Sequence, residues 1–235
     1  KTSEFLADNG VKFIFTGHTH MMNIAKMTTA KGNDLYDINT CSAVGYPNAM
    51  RKVVMTDTEV KIDSVKIDNF DWDLKGKTVD EYTKENFQEF LNAIFDSAAY
   101  DIDKLAVLST SFSMTPEKIY KLKPVIVPVG KFLQKATFGT IGKLFVISKY
   151  IDSSIKDRNV KDFVLEVITN VFYGDEPYTP DTPEHKAFSA FINKRIKKIL
   201  KLKKGTEKVE EILDMVLDGV LYNAPPSDWQ GVFAK

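Results

Sequence analysis

Val11-Lys12-Phe13-Ile14-Phe15-Thr16-Gly17-His18-Thr19-His20 is a short apolar run that stops at Thr-Gly and delivers two histidines one residue apart. Val11 to Phe15 is β-branched and aromatic and follows Asn9-Gly10, which reads as a helix C-cap, so the run is expected to be a buried strand. Gly17 breaks it. Glycine at a strand end lets the backbone turn sharply or approach a ligand, and residues i and i+2 of an extended segment point the same way, so His18 and His20 are expected to face one site. Neutral imidazoles are common ligands of Zn, Fe and similar ions, and two of them on a strand-to-loop turn make a fragment of a metal site. The plainer reading of His-x-His is a pair of surface or hydrogen-bonded loop histidines. The strand and the glycine weigh against it.

On either side of this run the pattern is αβ and then β. Lys1 to Asn9 reads as the end of an amphipathic helix with Phe5 and Leu6 inward. Met22 to Thr29 and Leu35 to Asn39 flank the turn-rich Lys31-Gly32-Asn33-Asp34 and predict a hairpin. Arg51 to Thr56 and Glu59 to Ile67 predict another, and the skipped beat between Ile62 and Val65 suggests a bulge. A run of strands after an αβ step matches the second sheet of a two-sheet sandwich.

The family that these residues resemble is the calcineurin-like metallophosphoesterases, whose last signature is a Gly-His-x-His at a strand end, here Gly17-His18-Thr19-His20. The segments that follow, Tyr36-Asp37-Ile38-Asn39-Thr40-Cys41-Ser42, then Tyr46-Pro47-Asn48 and Arg51, are similar to the family's bacterial cyclic-nucleotide-phosphodiesterase-like branch. The resemblance covers about residues 1–68. It implies hydrolysis of phosphodiesters or phosphomonoesters, with a cyclic-nucleotide-like substrate among the candidates, by two divalent ions (Mn, Fe or Zn). His18 would ligate one ion and His20 the other. The family's remaining signatures, an Asp-x-His, a Gly-Asp, a Gly-Asn-His and one further histidine, precede this one, and the residues before Val11 hold none of them. The chain is therefore expected to be a C-terminal portion that needs an upstream half of the catalytic domain. The portion alone is expected to be inactive and to bind metal weakly, and its uncovered strand invites self-association.

At Asp68 to Lys77 the character changes, and beyond it the hydrophobic period is three to four. The expected architecture is α+β: residues 1–68 as the C-terminal part of a metallophosphoesterase β-sandwich, and residues 69–235 as an all-α helical bundle without strand pairing. Thr78 with Glu81 predicts a capping box, Thr115-Pro116 opens a helix that Pro124 should kink or end, Asn159 caps a helix closed by Gly174, and Thr182-Pro183 opens one through Leu202. A last amphipathic helix is expected after Thr206, with Val209, Ile212, Leu213, Val216 and Val220 inward.

The chain has 235 residues, 43% hydrophobic and 27% charged, with zero net charge, so it can bury a core and whole-molecule charge points to neither nucleic acid nor a membrane surface. No apolar run approaches a membrane span. Cys41 is the single cysteine and excludes an internal disulfide framework. The compartment stays open between the cytoplasm and the secreted or envelope space of a bacterium.

Three further features bear on function. The loop from Thr40 to Arg51 offers Tyr46, Asn48 and Arg51 as substrate-binding groups, because hydroxyl, amide and guanidinium groups position phosphoesters. The alternative is that Tyr46-Pro47 packs a turn and Arg51 starts a strand. Lys186 to Lys204 carries eight Lys or Arg and no acid. That run reads either as a patch for nucleic acid or anionic lipid, or as a solvated face neutralised by Glu207, Glu210, Glu211, Asp214 and Asp218; the second is favoured. His185, in a first helical turn, is given no ligand role. For the chain as a whole, the alternative to a phosphoesterase fragment is a non-catalytic helical binding module.

Overall fold

The structure is a computed structural model that describes residues 2–112, 114–200, 213–214, 217, 219–222 and 228–234. Helix α1 (Thr2–Asp8) ends as its sequence predicts: Gly10 sits at φ +88°, Val11 N–H donates to the Leu6 carbonyl at 3.0 Å and Gly10 N–H to that of Ala7 at 3.1 Å, the paired bonds of a Schellman cap. The chain then enters β1 (Phe13–Thr16). Strands β2 (Asn23–Thr28) and β3 (Asp34–Asn39) form the first predicted hairpin, and β1 pairs in parallel with β3, giving a sheet of order β1-β3-β2. Strands β4 (Ala49–Met55) and β5 (Glu59–Lys66) form the second.

The chain is mixed α+β, and its residues fall into two compact units. One comprises residues 1–87, 169–175 and 224–235; the other comprises 88–168 and 176–223. The first holds both sheets. Ile38 of one sheet and Val60 and Ile62 of the other share one buried cluster, packed on by Phe13, Ile24, Tyr36, Val53 and Phe233. The two sheets therefore bury a common face, as alternating strands with one apolar side must.

Two strand expectations are corrected. No bulge interrupts β4 and β5: the register runs unbroken from Ala49↔Lys66 to Met55↔Val60. The skipped beat has another cause. The inward place after Val60 and Ile62 is taken by Ser64, whose hydroxyl accepts a 2.8 Å hydrogen bond from Arg51 and donates to the Trp229 carbonyl, while Val65 faces out, 50% exposed. Nor is the region after Lys77 free of strands. Gly231–Ala234 forms β6, antiparallel to β5 with Val60↔Phe233 in register, and the Phe233 ring lies 4.6 Å from that of Tyr36 and 5.9 Å from that of Phe13.

Helix α2 (Val79–Tyr100) opens with the predicted capping box: Glu81 Oε2 accepts from Thr78 N–H at 2.9 Å, and Thr78 Oγ1 accepts from Glu81 N–H at 3.2 Å. Asn159 caps α6 (Val160–Tyr173), accepting from Lys161 N–H at 2.7 Å. Gly174 closes that helix at φ +78°, and a Cβ there would stand 2.5 Å from the Met22 carbonyl oxygen, so only glycine fits. In the β-rich unit Met22 N–H donates to Phe172 O at 3.1 Å and Trp229 Nε1 to Tyr173 O at 2.7 Å, which seats this helix end against the start of β2 and the returning tail.

The second unit is helical, and among its described residues the only β-pairings are isolated bridges at Thr137↔Asn159 and Pro177↔Tyr222. It contains α3 (Ile102–Leu108), α4 (Pro116–Leu133), α5 (Phe138–Leu144), α7 (Pro183–Phe191) and α8 (Lys197–Leu200), the last two joined by a π-helical turn, Ile192–Ile196. Of the two outcomes expected at Pro124, the helix does not end there: α4 runs through both Pro124 and Pro128. Each proline removes one hydrogen bond. The carbonyls released belong to Tyr120 and Pro124, both on solvent-exposed turns where water can bond them. The helix expected after Thr206 lies mostly outside the described residues; of those within them, Leu217 and Leu221 are buried. Among the described residues no helix is long and apolar enough to cross a membrane.

Candidate metal centre

The histidine turn sits at the carboxyl end of β1, beside the carboxyl end of its parallel neighbour β3. In sheets with parallel strands this is where loops diverge and ligands bind. Four hydrogen bonds hold it. Thr16 Oγ1 donates to Asp37 Oδ1 at 2.7 Å, Thr40 N–H to Thr16 O at 2.9 Å, His20 N–H to Gly17 O at 3.4 Å, and Asn39 Nδ2 to Thr19 Oγ1.

These bonds change the reason for placing the two imidazoles together. His18 and Thr19 lie in a turn rather than in extended backbone, so the rule that i and i+2 share a face does not apply to them. The left-handed residue is His20, at φ +58°, and not Gly17. Histidine is among the few non-glycine residues that adopt this region readily. Both histidines are solvent-exposed on one tight turn.

Asn39 joins the turn to the core. Its carbonyl accepts a 2.9 Å hydrogen bond from Arg51 Nη2, and its Oδ1 is buried without a hydrogen-bond partner. Arg51 itself bonds four groups on four segments: Asn39 O, Ser64 Oγ, Asp228 O at 2.5 Å and Asn23 O at 3.5 Å. Burial pulls its pKa down, and the Asp228 carboxylate opposes that effect. Asp228 accepts a 2.7 Å hydrogen bond from Ile24 N–H, and burial pushes its carboxyl up to about 6.

The three substrate-binding candidates are committed to internal contacts. Tyr46 is 7% exposed and stacks between Phe87, at 5.6 Å, and Tyr173, at 6.0 Å. Asn48 is fully buried, donating to Ile67 O at 2.7 Å and accepting from Thr83 Oγ1 at 2.9 Å. Arg51 is the staple just described. Their contacts are those of the structural alternative for this loop, because a hydroxyl, amide or guanidinium that serves a ligand and one that serves the core look alike in sequence. Cys41 is also internal, its thiol bonded to Ala49 at 3.1 and 3.3 Å and its pKa raised by burial. Asn39, Thr19 and Ser64 are positioning residues that sequence reasoning missed; Asn39 and Thr19 stood within the segments that carry the resemblance, and nothing local marked Ser64.

As a donor set for metal, two imidazoles fit the neutral-nitrogen part of a two-ion centre and supply none of its charge. Among the described residues, no group of three or more His, Cys, Asp or Glu side chains is arranged to hold an ion. No protein-family model matches the chain, and no curated protein matches it.

Proposed function

We propose that the β-rich unit is the C-terminal part of a calcineurin-like, two-metal phosphoesterase domain acting on small phosphodiesters or phosphomonoesters. The observation that carries the proposal is the Gly17-His18-Thr19-His20 turn at the carboxyl end of a parallel strand pair, with both imidazoles open to solvent and the backbone pinned from Thr16 to Thr40. In this reading His18 holds one divalent ion and His20 the other, and residues preceding Lys1 supply the carboxylates that a pair of cations requires. Such ions polarise phosphoryl oxygens and activate water at neutral pH.

The chain's own contribution is position. Thr16, Thr19 and Asn39 fix the backbone of the turn, so binding the ions would order only the two imidazole side chains. Tyr46, Asn48 and Arg51 act behind the site, holding the loop and the sheet to which the turn is tied. Strand β1 pairs only with β3 among the described residues, which suits a further strand laid along its other edge, and its Phe15, 47% exposed, is an apolar group on a face left uncovered. Calorimetric titration with Mn²⁺ or Zn²⁺ tests the division of labour: residues 1–235 alone should bind weakly, and the same chain with its preceding residues should bind two ions tightly. Tight two-ion binding by residues 1–235 alone would show that the ligand set is different.

A further inference from the structure

We propose that the helical unit carries a second site, a cationic groove that binds a small polyphosphorylated molecule. The groove has a volume of about 910 Å³, within the usual range for ligand pockets of this kind, and its wall contains Lys143, Lys149, Lys194, Arg195 and Lys198 with no carboxylate among the described residues. These cations come from three places in the chain: the last turn of α5, the 3₁₀ turn Ser148–Tyr150, and the π-helical turn together with the α8 that follows it. The fold therefore brings two lysines from outside the basic run to its lining.

Two of these cations gather on one ring, and a third is held to the backbone of the groove wall. The ammonium groups of Lys149 and Lys194 lie 5.0 and 4.9 Å from the centre of the same ring, Tyr150, and their hydrogen bonds hold its hydroxyl below the ordinary phenol range. Arg195 donates from Nη2 to the Val146 carbonyl at 2.9 Å, while its buried Nε has no hydrogen-bond partner. That carbonyl belongs to a residue at φ +52°, a conformation a β-branched side chain adopts only under strain. The π turn adds a residue to the helix at the groove wall, a departure that recurs at binding sites.

Like charges gathered in a concave wall repel one another, and an anion in their midst removes that cost while taking several charge-assisted hydrogen bonds. Five cations suit two or three linked phosphates better than one. Lys197, which is not part of the groove lining, pairs instead with Asp214. A free polyphosphate or nucleotide and a phosphorylated lipid headgroup share this chemistry, and a concave wall with cations on several sides favours the free molecule. The inference is independent of the phosphoesterase reading, because it involves neither histidine.

The test is isothermal titration of residues 1–235 with inorganic triphosphate at low salt, with orthophosphate and vesicles of phosphatidylcholine with a bisphosphorylated phosphatidylinositol as parallel arms. Triphosphate should bind stoichiometrically and orthophosphate much more weakly. K149Q/K194Q should lose about tenfold or more in affinity, and K149R/K194R should retain it. K52Q/K61Q, which removes the same charge from β4 and β5, should bind like the parent. Absence of triphosphate binding, equal loss in K52Q/K61Q, or binding to vesicles without binding to triphosphate would each overturn the proposal. Circular dichroism on every variant separates a lost site from a lost fold, and a K149Q/K194Q protein that is folded and binds undiminished would overturn it as well.

Discussion

Asp228 gives the sharpest test of how the chain's tail is built into the β-rich unit. The residue is 3% exposed and accepts a hydrogen bond from Ile24 N–H, yet burial outweighs this and pushes its carboxyl from 3.8 to about 6. The folded state therefore holds the proton more tightly than the unfolded chain does. Its contribution to stability is present in full below pH 3.8 and is lost as pH rises through 6, the reverse of a salt-bridged carboxylate. A shift of this size corresponds to about 3 kcal/mol. Asp228→Asn keeps an acceptor for Ile24 and abolishes the titration. Urea unfolding of both proteins between about pH 3.5 and 7 at fixed ionic strength gives the stability difference at each pH, in which the opposing contributions of Asp8, Asp34 and Glu81, all with lowered pKa values, cancel. That difference should swing by about 2 kcal/mol in favour of the D228N variant as pH rises from about 4 to about 6.5. A difference that does not vary with pH would show that the carboxyl is solvated and that the tail is not docked as described.

Arg51→Ala should cost on the order of 3 kcal/mol in urea unfolding, because it strands several part-buried acceptors at once; a loss below about 1 kcal/mol would mean the guanidinium is a surface group. Phe233→Ala should cost about 3 kcal/mol by removing a ring from the shared core of the two sheets, measured the same way. No change would remove β6 from that core.

What was legible in the sequence is what is written locally. The Gly10 cap, the Thr78–Glu81 box and the Asn159 cap each involve groups within a few residues of one another, and all three form as read. The hairpins were legible for the same reason. What escaped reading depends on partners far along the chain. Ser64 breaks the β5 alternation because Arg51 and Trp229 meet it; β6 is only four residues long and gains its place from β5; α4 survives two prolines because that face is wet. At the site, the motif located the histidine turn, but the reason the turn is held, from Arg51 to Asn39 to Thr19, lies in tertiary contacts. The groove combines a basic run that was visible with Lys143 and Lys149, which lie some forty residues earlier in the chain.

His18 and His20 are proposed each to hold one ion of a phosphoesterase centre. Turnover of a chromogenic phosphodiester, with bound metal counted by atomic absorption, for His18→Ala and His20→Ala in the chain together with its preceding residues reads this out. Each variant should remain folded, lose metal and lose turnover by about a hundredfold or more. Full turnover with two ions still bound in either variant would contradict the claim.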